Sequence, residues 1–245
     1  MRDLQVGGLV VRQARKADLP AYVAIQKVGW GESAVARKQA ESRFSHNLEG
    51  ILVAENDGKV LGSVTTIRID EYDHSQPKSW YAVTANGYCT SHKPKGKICF
   101  GVDLSVDPTS APKGTVDALF VGSLAMVISM GVKYLILGGR MPNYRLYADK
   151  LSPNEYLYKK KQNGHYLDPQ VDMYKRVPFM KIMGLAPNYF KDPPSKNYGV
   201  ILRCRNPFYK LPFKSFWAAA TRRIFEVYLT RQRLAYEKKV EKKPA

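Results

Sequence analysis

The segment from Ile98 to Phe120 combines the residue types and the spacing of a phosphate-binding site. A β-branched run that ends at Val106 predicts a strand, a loop with Lys113 and Gly114 follows, and an apolar run from Thr115 predicts a helix. The first amides of a helix have no partner within it, and the helix dipole adds partial positive charge there. With Lys113 they would form a site for a pyrophosphate. The alternative is an ordinary strand–helix turn that binds nothing.

The histidines and cysteines offer no comparable pattern. They are His46, His74, His92 and His165, and Cys89, Cys99 and Cys204. The histidines lack metal-ligand spacing, and an odd number of cysteines without a Cys-x-x-Cys pair argues against a disulfide framework or a zinc ribbon. We therefore expect no metal cofactor and a reducing compartment. His92 lies in a long loop, where it either lines a substrate pocket or is a solvated surface residue.

The elements that must position this strand, loop and helix alternate between strands and helices. Strands are predicted over 9–13, 51–55, 60–69, 98–106, 133–137, 180–185 and 198–204, and helices over 33–46, 115–130 and 213–243. A further helix begins at Asp18, which is placed to cap it, and the segment 140–176 is predicted to be helical, basic and rich in tyrosine. The strand, helix and strand over 98–137 form a βαβ unit, so its two strands should be parallel and buried.

Two connections carry their own signals. Asn56, Asp57 and Gly58 are typical of a hairpin turn between the second and third predicted strands. The connection over 70–97 is long and contains Trp80, Tyr81 and Tyr88, which favours a packed loop with a functional role.

The chain of 245 residues is strongly basic. It has 39 Lys and Arg against 21 Asp and Glu, a formal net charge of +18, and such a chain attracts anions. Nucleic acid, an anionic membrane surface, acidic carrier proteins and phosphorylated cofactors are candidate partners. We find no helix-turn-helix, RNP-type or zinc motif, so only charge supports nucleic acid and we do not expect it as a partner.

Neither a signal peptide nor a membrane-spanning run is evident in the sequence. The N-terminus lacks the basic-then-apolar pattern of a signal peptide, and the longest apolar run, over 118–130, is too short to span a bilayer. We therefore expect a cytoplasmic protein.

The predicted order of elements resembles that of the GNAT acyltransferase superfamily over residues 9–206. Several segments also resemble one bacterial GNAT subgroup of undefined acceptor: Val83–Gly87 with His92, Phe100–Pro108, Gly138–Tyr144, Tyr147–Asp149, Ser152–Tyr156, Asp168–Pro169 and Pro187–Tyr189. The resemblance implies a mixed α/β fold with a central mixed sheet flanked by helices. It also implies a GNAT-like domain over 1–206 and a basic, amphipathic helical extension over 207–245.

The resemblance implies an acyltransferase that moves an acyl group, expected to be acetyl, from acetyl-CoA or another acyl-CoA to an amine by direct transfer. GNAT proteins bind acyl-CoA at a loop of pattern Arg/Gln-x-x-Gly-x-Gly/Ala, which falls on Ala111 to Val116. Only Gly114 matches, and Pro112 removes one backbone donor. The implied cofactor-binding residues are Leu104, Ser105, Val106, Lys113, Gly114 and Thr115. The first three form the strand stretch whose free amide would polarise the thioester carbonyl.

Two catalytic residues also follow from the resemblance. GNAT proteins often carry, on the fourth strand, a carboxylate that acts as or orients a general base, and Asp103 occupies that position; a purely structural aspartate is the alternative. The family's tyrosine after the fifth strand corresponds to Tyr174, in a stretch where Pro178 replaces the usual glycine. Tyr174 would protonate the thiolate of CoA, and a packing role is the alternative.

The departures at Ala111 and Val116 leave other functions open. The donor is then a longer acyl-CoA or an acyl group on an acidic acyl-carrier protein, or the chain is a non-catalytic module that binds a ligand or partner. The C-terminal helix interleaves aromatic and aliphatic residues with arginines. Such a helix lies on an anionic membrane surface, here the inner membrane face, or docks on its own domain or on a second copy.

Overall fold

Strands and helices alternate along residues 3–177 and 179–241, the part of the chain that the computed structural model describes. The strands are β1 (Leu4–Val6), β2 (Leu9–Gln13), β3 (Ile51–Asn56), β4 (Lys59–Ile69), β5 (Ile98–Val106), β6 (Tyr134–Gly139), β7 (Met180–Ala186) and β8 (Gly199–Arg205). The helices are α1 (Leu19–Trp30), α2 (Arg37–His46), α3 (Trp80–Thr84), α4 (Thr115–Ser129), α5 (Pro153–Tyr158), α6 (Pro169–Arg176) and α7 (Lys214–Glu241).

The strands form one mixed sheet in the order β1-β2-β3-β4-β5-β6-β8-β7. β2 pairs antiparallel with β1 and β3, β3 pairs antiparallel with β4, and β8 pairs antiparallel with β6 and β7. β5 and β6 are parallel, with Ile98 opposite Tyr134 and Gly101 opposite Leu137. The predicted βαβ unit and the predicted fold class, a mixed sheet flanked by helices, are therefore confirmed.

The first of two compact units comprises residues 3–66, 103–131 and 207–241. One of its hydrophobic clusters joins β1, β2 and β3 to α4, with Leu9, Leu52 and Leu119 at most 1% exposed. Gly122 lets α4 approach the sheet, since a Cβ at this position would lie 2.9 Å from Val11 Cγ1. α7 packs on α4 and β1, and Leu229 joins the same cluster.

The second unit comprises residues 67–102 and 132–206. Its core contains Ile67, Phe100, Ile136 and Ile201, all nearly fully buried, and the ring of Tyr189. That ring occupies space that side chains at Gly138 and Gly199 would fill. The predicted packing of the 70–97 connection is confirmed, because Val83 and Cys89 are buried in this cluster and Trp80 packs against it.

Several predicted elements differ from the observed ones. The segment 140–176 is not continuously helical: it holds a short 3-10 turn, α5 and α6. The turn and both helices begin at prolines, and a proline disfavours the helical conformation of the residue before it. β1 was not predicted, and α2 begins at Arg37 rather than at residue 33. Asp18 stands at the start of α1 but makes no side-chain capping bond, since its carboxylate binds Arg12.

Among the helices of the described residues, none combines the length and the apolar character required to cross a bilayer.

Candidate active site

The loop between β5 and α4 opens with a tight turn at Asp107. Its Oδ1 accepts hydrogen bonds from the Thr109 amide at 2.9 Å and the Thr109 hydroxyl at 2.7 Å. These bonds lower the pKa of Asp107 to about 2. The carboxylate is therefore occupied by its own turn, which makes Asp107 a turn residue.

The N-terminus of α4 has the backbone geometry of an anion-binding loop. Gly114 is the N-cap residue with φ +92°, a left-handed conformation that glycine adopts without steric penalty. The amide and hydroxyl of Thr115 both donate to the Pro112 carbonyl, at 3.2 and 2.6 Å. Within the described chain, the amides of Lys113, Gly114 and Val116 make no hydrogen bond. These three amides are the unsatisfied donors that an anion would accept from.

The space and the charge at this loop also suit an anion. A Cβ added to Gly114 would meet no protein atom within 4 Å, so the glycine faces open space. The Lys113 ammonium lies 3.4 Å from the centroid of the Tyr236 ring on α7, which holds the charge at the loop through a cation–π contact. The structure therefore groups three of the predicted cofactor-binding residues, Lys113, Gly114 and Thr115, at one helix terminus.

The other three predicted cofactor-binding residues, Leu104, Ser105 and Val106, form the last part of β5. The Asp107 amide donates to the Leu61 carbonyl at 2.9 Å, so the β5 edge that faces β4 is occupied at this point. Successive amides of a strand point to opposite edges, so the Val106 amide points away from β4. The ladder with β6 ends at Gly101 and Leu137, five residues before the end of β5.

Asp103 lies in a buried polar cluster of the first unit. Its Oδ2 pairs with Arg43 Nη1 at 2.5 Å and its Oδ1 accepts from Gln26 Nε2 at 3.0 Å. The Arg43 side chain is 0% exposed and also donates to the Tyr22 hydroxyl at 2.7 Å. Burial raises the pKa of Tyr22 well above its ordinary value, so Tyr22 stays neutral. The carboxylate of Asp103 is thus the counter-charge of a fully buried guanidinium.

Two atoms beside this cluster are buried without a partner. Within the described residues, neither Gln26 Oε1 nor Ser105 Oγ has a hydrogen-bond partner. Ser105 lies against α1, because a Cβ at Gly29 would be 2.9 Å from its hydroxyl. No sequence pattern pointed to Arg43 or Gln26, because Arg43 lies on the mostly polar helix α2 and Gln26 is a single glutamine on α1 without a motif around it.

Tyr174 lies in the second unit, at the C-terminal turn of α6. Its ring covers Gly139 at the end of β6, and its hydroxyl accepts a hydrogen bond from the Arg140 amide at 3.4 Å. Burial raises the pKa of Tyr174 to about 12. The phenol is therefore protonated at neutral pH, as a proton donor must be. Pro178, which replaces the expected glycine, lies outside the described residues.

The start of α6 is fixed by the buried carboxylate of Asp168, a residue of the Asp168–Pro169 match to which the sequence assigned no role. Asp168 Oδ1 accepts from the amides of Gln170 and Val171 at 2.9 and 3.2 Å, and its Oδ2 accepts from the Tyr156 hydroxyl at 3.0 Å. Asp168 is 1% exposed. The Asp-Pro pair at the helix start is the available signal, because an aspartate N-cap before a proline is a common way to begin a helix.

Arg140 is held by a second buried acid. It forms a two-point ion pair with Asp192, with distances of 2.9 and 2.7 Å, and Asp192 also accepts from the Ser195 hydroxyl. The Ser195 hydroxyl in turn accepts from the Met141 amide at 3.1 Å. Through this chain of bonds, the residue that donates to Tyr174 is fixed to the loop before β8.

His92 does not extend freely into solvent. Its Nδ1 accepts from the Arg68 amide at 3.1 Å, which ties the long connection to the end of β4. No group of three or more His, Cys, Asp or Glu that could hold a metal ion occurs in the described part of the chain.

Two curated relatives come from Bacillus subtilis (strain 168), while no family model matches the chain. The "Probable hydrolase YhcX" is 27% identical over 205 residues, and the "Uncharacterized N-acetyltransferase YkwB" is 27% identical over 212 residues. Each match covers 82% of this chain; it covers 39% of the first relative and 91% of the second. The chain thus spans much less than two thirds of the length of the first relative.

Solved structures share the fold. The loading GNATL domain of CurA from Lyngbya majuscula has a TM-score of 0.72 at 21% identity, over 81% of this chain and 98% of that one. The GphF GNAT-like decarboxylase in complex with isobutyryl-CoA has a TM-score of 0.68 at 22% identity, over 80% and 98%. These likenesses confirm that the chain has the GNAT fold.

Proposed function

We propose that this chain is an acyltransferase that moves an acyl group, in the simplest case acetyl, from acyl-CoA to an amine by direct transfer. The observation that carries the proposal is the loop before α4. Its amides at Lys113, Gly114 and Val116 make no hydrogen bond within the described chain, and Gly114 faces open space. The Lys113 ammonium adds a positive charge, held over the Tyr236 ring of α7. A pyrophosphate is an anion of the right charge and size for such a terminus.

The thioester would be polarised by the backbone of β5. In the proposed complex the Val106 amide, which points away from β4, donates to the thioester carbonyl oxygen. A fixed amide placed where negative charge develops stabilises the transition state without reorganisation. Leu104 and Ser105 hold this stretch in place, because Ser105 is buried and Leu104 packs against the core.

The chemical step is then a single displacement. The amine nitrogen attacks the thioester carbon, the carbon–sulfur bond breaks, and the thiolate takes the proton of the Tyr174 hydroxyl. The pKa of Tyr174 is raised by burial to about 12, so the phenol is protonated at neutral pH, although it is a weaker acid than an exposed tyrosine. A thiolate leaves readily, so one donor suffices.

Asp103 has a positioning role in this proposal. Protonating its carboxylate would remove the counter-charge of Arg43, which is 0% exposed, and a buried unpaired charge is strongly unfavourable. We therefore assign the amine proton to a water molecule, and assign Asp103 to ordering the polar cluster at the start of the thioester-binding stretch.

Two comparisons support an acyl-CoA donor. One relative is named as an N-acetyltransferase, and one structure of the same fold was solved with isobutyryl-CoA. The second candidate function uses an acyl group on an acidic carrier protein. The structure with the TM-score of 0.72 is described as a loading domain, and the net charge of +18 would attract an acidic carrier.

The first test is calorimetric titration of the full chain with CoA and acetyl-CoA. We expect Gly114→Ala to weaken CoA binding at least about tenfold, or 1.4 kcal/mol, because the new Cβ enters the space proposed for the pyrophosphate. Gly164→Ala is the matched control, since Gly164 also has a positive φ, +81°, and open space around its Cβ. Both variants should lose about 1 kcal/mol of stability from the strained backbone. Equal CoA affinity in the two variants would refute the loop site.

The second test separates the donors. Turnover is measured with acetyl-CoA, with longer acyl-CoAs and with an acyl-carrier protein, alone and in competition, on a panel of amines. Turnover with acyl-CoA supports the first proposal, and turnover only with the carrier supports the second. Binding of CoA without turnover of any donor would identify a non-catalytic ligand-binding module.

A further inference from the structure

α7 carries two apolar stripes on opposite faces. The inward stripe packs on α4 and β1 and includes Ala218 and Leu229, which are 1% and 8% exposed. Arg233 belongs to the same side, because its Nη1 donates to the Val6 carbonyl at 3.2 Å. The inward stripe accounts for the docking of the helix on its own unit.

The outward stripe lies half a turn away and is uncovered in the described structure. It comprises Phe216, Ile224, Val227 and Leu234, which are 62%, 67%, 40% and 51% exposed, and Phe213, just before the helix, is 79% exposed. From Phe216 to Leu234 it runs along about 27 Å of helix. Single exposed apolar residues are ordinary, but several large ones on one helix face indicate an interaction surface.

Arginines border the outward stripe. Arg223 is 80% exposed and forms a pair at 3.4 Å with Glu226, and Arg231 is exposed. Arg222 is buried and Arg233 faces inward, so Arg223 and Arg231 are the arginines of the described helix that lie beside the outward stripe. An occupant of this face must therefore accept large apolar side chains and positive charge together.

A second copy of the chain fits this requirement poorly. Phe213, Ala220, Val227 and Leu234 recur every seven residues, but the positions three residues after the second and third of them hold Arg223 and Thr230. In a helix pair those positions would enter the seam and bring two arginines of like charge together. A net charge of +18 on each copy adds long-range repulsion.

We propose that the outward stripe binds the surface of an anionic lipid bilayer, with α7 lying in the plane of the interface. The phenylalanines and aliphatic side chains would enter the boundary between headgroups and acyl chains. Arg223 and Arg231 have long stems that let their guanidinium groups reach lipid phosphates. This proposal does not depend on the acyl transfer proposed above, and it concerns a different surface from the loop before α4.

The experiment is co-sedimentation of the full chain with large unilamellar vesicles, either of pure phosphatidylcholine or of phosphatidylcholine mixed with phosphatidylglycerol. We expect binding to the anionic vesicles, little binding to the neutral ones, and weakening as salt screens the charges. Ile224→Ser should weaken partitioning at least about tenfold. Leu146→Ser is its matched control, since Leu146 is 65% exposed and lies in the second unit.

Charge reversal tests whether the arginines of α7 contribute to binding the anionic lipids. Arg223→Glu with Arg231→Glu should weaken binding to anionic vesicles at least about tenfold. Lys38→Glu with Lys59→Glu, both on exposed residues outside α7, changes the net charge equally and should weaken binding much less. Circular dichroism checks that each variant is folded.

Three results would overturn the proposal. The first is equal binding to neutral and anionic vesicles or to neither. The second is equal loss of binding in the α7 variants and their controls. The third is a concentration-dependent dimer, measured by light scattering, that Ile224→Ser abolishes, because the stripe would then be the contact between two copies.

Discussion

Tyr174 illustrates what a single residue needs in order to act as an acid. Its ring is fixed on Gly139 and its hydroxyl on the Arg140 amide, while burial keeps it protonated. If it donates to the thiolate, Tyr174→Phe should lower kcat about 100-fold and leave CoA affinity within about threefold. Steady-state kinetics and calorimetry measure the two effects. Tyr158→Phe, on an exposed tyrosine of α5, is the control. An unchanged kcat would assign Tyr174 to packing alone.

At Asp103 the question is whether the carboxylate takes part in proton transfer or serves mainly as a counter-charge. Asp103→Asn keeps the shape but leaves the Arg43 guanidinium buried without its acid, so we expect a loss of about 3 kcal/mol of unfolding free energy. Urea denaturation measures it, with Asp149→Asn on an exposed aspartate as the control. A variant of wild-type stability that had lost activity would instead support a general base.

At the scale of elements, the C-terminal helix reaches the proposed cofactor loop. The Tyr236 ring on α7 holds the Lys113 ammonium at 3.4 Å. Tyr236→Leu removes the cation–π contact, worth about 0.5–1 kcal/mol, so we expect CoA binding to weaken about two- to fivefold. Tyr236→Phe should retain wild-type affinity, and Tyr228→Leu, on an exposed tyrosine of the same helix, should have no effect. Calorimetric titration of the three variants tests this, and an equal effect of both leucine variants would exclude a specific role for Tyr236.

The elements were predicted best where their own sequence carried the signal. β2 and β5 have the predicted bounds, and Asp57 and Gly58 have the positive φ values that a tight hairpin turn needs. The segment 140–176 was wrongly predicted to be one helical stretch. Pro142, Pro153 and Pro169 each begin a separate short helix or turn, because a proline cannot continue a helix from the residues before it.

At the scale of the whole molecule, the burial of several tyrosines should make the free energy of unfolding fall at alkaline pH. Burial raises the pKa of Tyr72 and Tyr174 from 10.0 to about 12, and it raises the pKa of Tyr22, Tyr156 and Tyr189 as well. Below pH 10 both folded and unfolded chains hold these protons. Between about pH 10 and 12 only the unfolded chain releases them, so stability falls as pH rises.

Urea unfolding at about pH 8 and about pH 11 measures this loss. Tyr72→Phe, which removes one phenol whose hydroxyl makes no hydrogen bond in the described structure, should show a smaller decrease. A midpoint that stays constant between the two pH values would contradict the prediction.

The sequence by itself determined seven of the eight strands, the parallel pair around α4 and the loop with Gly114, because these depend on local periodicity, turn residues and helix termini. It also determined the charge of +18, which needs no structure. The tertiary structure decided which side chains are buried and what they meet. Arg43 pairs with Asp103 across 60 positions of sequence, and Arg140 pairs with Asp192 across 52. No local pattern encodes such pairs, because they arise only when packing removes both groups from water and leaves each as the other's partner.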